Sequence, residues 1–236
     1  MNKTAIEWCD YTWNPVTGCK HSCPYCYARK IAERFKGSKA WPQGFEPMFH
    51  PERLAEPRKL GTKYYCPESM AKGFSIFVCS MADLFGDWVP DSWINEVMLA
   101  AKGANRHTYI FLTKNPKRYL TLPGSCFQDN FWFGTSITNA SDAGQRLHWL
   151  KRLPKANTFI SFEPLLGDVG PLDLTGIKQV IIGAQTNPSV EVTPEMVQPI
   201  GLATCPGPIP TIKMFNKDSM PSWAMCRREL CWTVHK

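Results

Sequence analysis

The chain contains no Walker phosphate loop, no glycine fingerprint of a dinucleotide-binding βαβ unit and no His-Glu-x-x-His helix. The best-marked sequence routes to nucleotide hydrolysis, NAD chemistry and zinc proteolysis are therefore absent. It also lacks internal repeats and low-complexity tracts, and its 20 prolines are spread along its length. The stretch Met1 to Trp8 carries Lys3 and Glu7 and has no apolar run. Neither a secretory signal nor a membrane span is expected there, and a cytoplasmic location is. At 236 residues the chain suits one domain, 1–236, large enough to bury a sizeable core.

Ten cysteines would suggest disulfides in a secreted protein; without a leader, free thiols and metal ligands are expected instead. Three of them, Cys19, Cys23 and Cys26, stand in Gly-Cys-Lys-His-Ser-Cys-Pro-Tyr-Cys-Tyr-Ala from Gly18 to Ala28. A zinc knot needs a fourth ligand at matching spacing, and His21, inside the loop, is poorly placed to complete a tetrahedron. Three thiolates spaced C-x3-C-x2-C can instead hold three irons of a [4Fe-4S] cubane, leaving the fourth iron open to an outside ligand. Cys205, Cys226 and Cys231 could hold an auxiliary cluster, but their spacing is not compact and cysteine is commonly a small buried hydrophobe.

This spacing, with Tyr25 directly before the third cysteine, resembles the signature of the radical S-adenosylmethionine superfamily. The resemblance implies that Cys19, Cys23 and Cys26 bind the cluster and that S-adenosylmethionine chelates the free iron. One-electron reduction by an external electron donor would then cleave a carbon–sulfur bond and release a 5′-deoxyadenosyl radical. Such chemistry belongs to the cofactors, with the protein supplying position and shielding.

Short apolar, β-branched or aromatic runs at 74–80, 108–114, 131–137, 158–163, 179–184 and 211–215 read as parallel strands. Helical patterns at 92–103, 141–153 and 194–203 lie between them, with Asp91 or Ser92, Ser141 and Thr193 as expected N-caps. A first strand is expected before Gly18, and a helix-like run follows from Ala28 to Phe35. The alternation predicts a parallel α/β fold. The superfamily resemblance narrows this to a partial (β/α)6 barrel, with room for an extra C-terminal strand. The segment 38–73, rich in proline, lysine and aromatics, reads as an irregular lid or substrate arm.

In α/β folds the chemistry gathers at the C-terminal ends of strands. The polar residues there are Ser80, Asp83, Thr113, Lys114, Thr135, Ser136, Asn139, Glu163, Gln185, Asn187, Lys213 and Asn216. A core would favour apolar residues at such positions, so the set reads as cavity lining. Tyr25, Ser80, Asp83, Thr113, Thr135 and Ser136 are the candidate cofactor contacts. Glu163, Lys114, Lys213 and Gln185 are the candidate catalytic groups, with the lysines suited to a carboxylate or phosphate.

Further stretches resemble a narrower group of small, phage-associated radical S-adenosylmethionine-like proteins of largely unassigned function. They are Trp13 to Cys19, Cys26 to Ala28, Ala82 to Gly86, Leu112 to Lys114, Gly134 to Ser136, Phe162 to Gly167 and Ile182 to Ala184. This chain departs at Gly183-Ala184-Gln185, where that group often has Gly-Gly-Glu. The resemblance implies a phage-encoded isomerase or lyase in the host cytoplasm that rearranges an amino-acid adduct on a hypermodified thymine in DNA. Net charge of +7 and nine tryptophans suit a nucleic-acid partner. Two other readings stay open: a radical enzyme acting on a peptide or small metabolite, and a non-catalytic Fe–S or zinc scaffold.

Overall fold

A computed structural model describes residues 1–61, 73–153, 156–183, 185–186, 189–190, 196 and 211–215, with backbone alone for the short strands from Gln185 onward. Cys66, Cys205, Cys226, Cys231, Asn187, Asn216, Thr193 and nearly all of the 194–203 helix expectation lie outside the described residues. The chain is mixed α/β with mostly parallel strands, and it divides into two compact units, Met1–Trp132 and Phe133–Lys236. No helix among the described residues is long and apolar enough to cross a membrane.

The first unit opens with β1 (Asn2–Lys3), β2 (Tyr11–Trp13) and β3 (Val16–Thr17), followed by helix α1 (Tyr27–Arg34). Then come β4 (Met48–Phe49), the short helix α2 (Glu56–Lys59), β5 (Ser75–Val78), helix α3 (Asp91–Lys102) and β6 (Thr108–Thr113). Strands β2, β5 and β6 are parallel, with Trp13 beside Val78 and Val78 beside Phe111; β1 runs antiparallel to β2 at the edge. Trp13, Ile76, Phe85, Tyr109, Phe111 and Tyr119 are fully or almost fully buried, as are Ile94, Val97, Met98 and Ala101 of α3. Each large apolar side chain so buried contributes roughly 1.5–3 kcal/mol. Strand β6 alternates buried and half-buried positions. Within the 38–73 segment, β4 pairs with β3, and Phe45 is buried against Ala28 and Ala32 of α1.

The second unit begins within β7 (Phe131–Ser136) and holds α4 (Ala140–Lys151), β8 (Asn157–Phe162) and β9 (Gln179–Gly183). The hairpin β10 (Gln185–Thr186) and β11 (Ser189–Val190) and the last strand β12 (Thr211–Phe215) complete it. β9 pairs in parallel with β8 on one side and β12 on the other. The six strands placed from the sequence agree in their bounds to within a residue or two, whereas β1, β3, β4, β10 and β11 were not read from it, and two caps differ. Asn139 caps α4, its side chain accepting from the N–H groups of Ser141 and Asp142, so it is a helix cap and Ser141 lies inside the helix. At α3 the cap is Pro90, with no side-chain bond, and Asp91 sits in the first turn where its charge favours the dipole.

His107 is fully buried; its Nδ1 accepts from the Phe74 N–H at 3.1 Å and its Nε2 faces the Pro57 carbonyl at 3.1 Å. Burial, with the Arg106 charge, holds its pKa below the usual histidine value despite the opposing carbonyl contacts. The unfolded chain therefore binds more protons over that range, and the stability due to neutral His107 is lost as pH falls below about 6.5. Urea midpoints should drop between neutral pH and mildly acidic pH, and this drop should shrink in His107→Gln.

Candidate functional site

The three-cysteine loop is shaped before any cofactor is considered. Gly18 has φ +84° and its N–H donates to the Met81 carbonyl at 2.9 Å, joining the loop to the segment after β5. A Cβ at Gly18 would stand 2.2 Å from the Glu46 carbonyl oxygen, so only glycine fits there. Cys26 caps α1, its sulfur accepting from the Arg29 N–H at 3.4 Å, and the Arg29 guanidinium donates to the Cys19 carbonyl at 2.9 Å. Ser22 at φ +54° and Cys79 at φ +58° hold left-handed backbone, a conformation that costs of order 1–3 kcal/mol and clusters at functional sites.

Asp83 anchors the loop from below. Its Oδ2 lies 2.7 Å from His21 Nε2 and accepts from the Lys114 N–H at 2.9 Å. Its Oδ1 accepts from the Thr113 hydroxyl at 2.6 Å and the Phe85 N–H at 3.0 Å. Burial alone would raise the Asp83 pKa; the contacts with His21, Thr113 and Lys114 outweigh it and hold the carboxyl below its usual range. An ionised carboxylate only accepts, so His21 Nε2 carries the proton of that bond. The Trp88 ring meets the His21 ring edge-on, with centroids 4.8 Å apart.

A second tie lies alongside. The Lys114 ammonium donates to the Tyr25 hydroxyl at 2.7 Å and sits 5.3 Å from the centre of its ring. Burial raises the Tyr25 pKa, and Lys114 opposes that shift. Consecutive residues at the end of β6, Thr113 and Lys114, thus reach His21 and Tyr25, one through Asp83 and one directly. Asn14 completes the floor: its Oδ1 accepts from the Ser80 hydroxyl at 3.2 Å and the Met81 N–H at 3.0 Å. The Tyr27 hydroxyl donates to the Ser80 carbonyl at 2.9 Å.

The first unit therefore brings together Cys19, Cys23, Cys26, Tyr25, Ser80, Asp83, Thr113 and Lys114. Within it the Asp83 and Thr113 side chains are spent on each other and on the loop. His21, Asn14 and Arg29 carry much of the geometry and were not singled out from the sequence as site residues. The Trp13-Asn14-Pro15 stretch was the available signal for Asn14. In the second unit Thr135 and Ser136 are buried at the end of β7. Glu163 follows β8 beside Gly183, where a Cβ would stand 2.8 Å from Glu163 Cγ. Gln185 and Lys213 lie on β10 and β12 by backbone, Gln185 opposite Val190 and Lys213 beside Ile181.

Among the described residues, no group of three or more His, Cys, Asp or Glu side chains is arranged to hold a metal ion. A cubane asks for something else, since each thiolate takes a different iron and the sulfurs need not converge on one point. The donor set fits it. All three thiols are free and partly exposed, and they come from one short loop. Burial pushes the Cys19 thiol up to about 12, against its bond to the His21 backbone, and the charges of Asp83, Cys23 and Cys26 push the same way.

Fold and site define an α/β protein whose three-cysteine loop is tied to the C-terminal ends of parallel strands. The chain belongs to the family described as protein of unknown function DUF5131, whose model matches residues 3–198. No curated protein and no solved structure matches the chain.

Proposed function

We propose that the chain is a radical S-adenosylmethionine enzyme whose Cys19, Cys23 and Cys26 hold a [4Fe-4S] cluster. The observation that supports it most is the three-thiol loop fixed from two sides by Asp83–His21 and Lys114–Tyr25, with no fourth cysteine in that loop. When bound, the cluster and S-adenosylmethionine supply one-electron cleavage of a carbon–sulfur bond and a 5′-deoxyadenosyl radical.

The protein's part is positional. Asp83 keeps the loop against the strand ends through His21, and Lys114 fixes the Tyr25 ring next to the third cysteine. In the first unit Ser80 is a proposed contact of the cofactor and Lys114 of the substrate; in the second unit Thr135 and Ser136 are candidates for the cofactor and Glu163, Lys213 and Gln185 for the substrate. The strand succession fits a partial (β/α)6 barrel with β12 as an extra strand. The substrate read here is an amino-acid adduct on a hypermodified thymine in phage DNA, rearranged after hydrogen abstraction. A base would leave the stack to be reached, and the positive net charge favours a polyanion.

Anaerobic loading with iron and sulfide, then dithionite and S-adenosylmethionine, with mass-spectrometric detection of 5′-deoxyadenosine, tests the enzyme assignment. Salt-sensitive binding to duplex DNA separates the base substrate from a peptide or metabolite.

A further inference from the structure

Helix α1 begins at the third cysteine of the loop and carries a largely apolar stripe that is about half exposed. Tyr27, Ile31 and Phe35 stand four residues apart, hence on one face, and are 52%, 40% and 50% exposed. Among the described residues only Leu99 and Leu120, on other elements, are large apolar side chains of comparable exposure. The neighbouring face of α1, Ala28 and Ala32, is the one packed on Phe45. Lys30 and Arg34 flank the stripe on one side and Lys36 and Lys39 follow the helix in sequence, and all four are exposed. The one acidic residue among them, Glu33, turns its carboxylate to the Phe45 N–H at 3.3 Å. The surface is therefore apolar with positive charge along one flank.

We propose that this stripe is the docking surface for a small, acidic, one-electron carrier protein that reduces the site. The proposal rests on the reading of the cysteine loop given above. Position supports it: Cys26 is the N-cap of α1, so an occupant of the stripe lies within one short helix, about 12 Å at 1.5 Å per residue, of a cluster ligand. Charge supports it as well, since a positive flank steers an acidic partner and speeds encounter. The patch is small, as transient electron-transfer contacts are. A single-stranded nucleic acid fits less well, because stacking needs free ring faces. The stripe's middle residue is aliphatic, and the Arg34 guanidinium sits 5.5 Å from the Phe35 ring centre.

With a flavin carrier as donor, one electron would leave its hydroquinone, which would become the semiquinone, and would be taken up by the cluster that Cys19, Cys23 and Cys26 would hold. No bond is made or broken. The experiment uses the full chain loaded with iron and sulfide, and compares reduction by an acidic flavodoxin hydroquinone with reduction by dithionite. Stopped-flow absorbance follows both. Ile31→Glu/Phe35→Glu and Lys30→Glu/Arg34→Glu should each slow the flavodoxin reaction by about tenfold or more, with dithionite rates unchanged. Leu99→Glu, on α3, should alter neither, and added salt should slow flavodoxin reduction of the parent chain alone. Unchanged flavodoxin rates in both double variants, with the cluster intact, would overturn the docking surface while sparing the enzyme assignment. So would loss of single-stranded oligonucleotide binding in those variants with donor rates unchanged. A parent chain that holds no dithionite-reducible cluster would remove both readings.

Discussion

Cys26→Ser should give a folded chain that holds no cluster. Serine is among the best N-cap residues, so its hydroxyl takes over the bond that the Cys26 sulfur receives from the Arg29 N–H, and α1 keeps its start. What the variant loses is a thiolate, and a hydroxyl is a poor substitute at iron. Iron and sulfide after anaerobic loading should fall from about four of each per chain to near background, while circular dichroism and the urea midpoint stay close to those of the parent. Cys19→Ser and Cys23→Ser should lose iron to the same extent. Full retention of iron in any one of the three would mean that this cysteine is not a ligand.

Replacement of Asp83 by alanine should cost more stability than any cysteine change. It strips partners from His21, the Thr113 hydroxyl and the N–H groups of Phe85 and Lys114 at one buried point. Breaking a buried charged network of this kind costs about 3–5 kcal/mol, visible as a lowered urea midpoint. The loop also loses one of its ties to the strand ends, that through His21, so iron loading should fall with it. Asp83→Asn should recover only part of the loss. An asparagine keeps one acceptor for Thr113 and Phe85, but its amide group then faces the Lys114 N–H, a donor that cannot turn away. His21 can adapt by changing tautomer. An Asp83→Asn chain equal to the parent in both stability and iron content would show that the carboxylate has no special part.

The longer strands were legible because each is a short apolar run bounded by turn residues, whereas two-residue strands such as β3 and β4 carry no such run. The runs at 75–78, 108–113 and 131–136 needed no tertiary information to find. The cysteine loop was legible for a different reason: ligand spacing is local, and Cys19, Cys23 and Cys26 lie within eight residues. What fixes that loop was not. Asp83 is 62 residues from His21 and Lys114 is 89 from Tyr25, and no period or spacing in a single sequence links them. Asp83 and Lys114 were marked as strand-end polar residues facing a cavity. In the fold Asp83 is instead saturated by protein donors, and Lys114 rests on a tyrosine. Asn139 shows the same limit at short range. At the end of a strand it reads as cavity lining, whereas the helix that follows uses its side chain as a cap.

The central claim is that this loop holds a cluster that reduces S-adenosylmethionine, and one measurement meets it directly. The full chain, loaded anaerobically with iron and sulfide, is treated with dithionite and S-adenosylmethionine, and 5′-deoxyadenosine is quantified by mass spectrometry with and without phage DNA carrying hypermodified thymine. The account predicts 5′-deoxyadenosine that depends on reductant, disappears in Cys26→Ser and rises when the modified DNA is present. A fully loaded, fully reduced chain that yields none under either condition would contradict it.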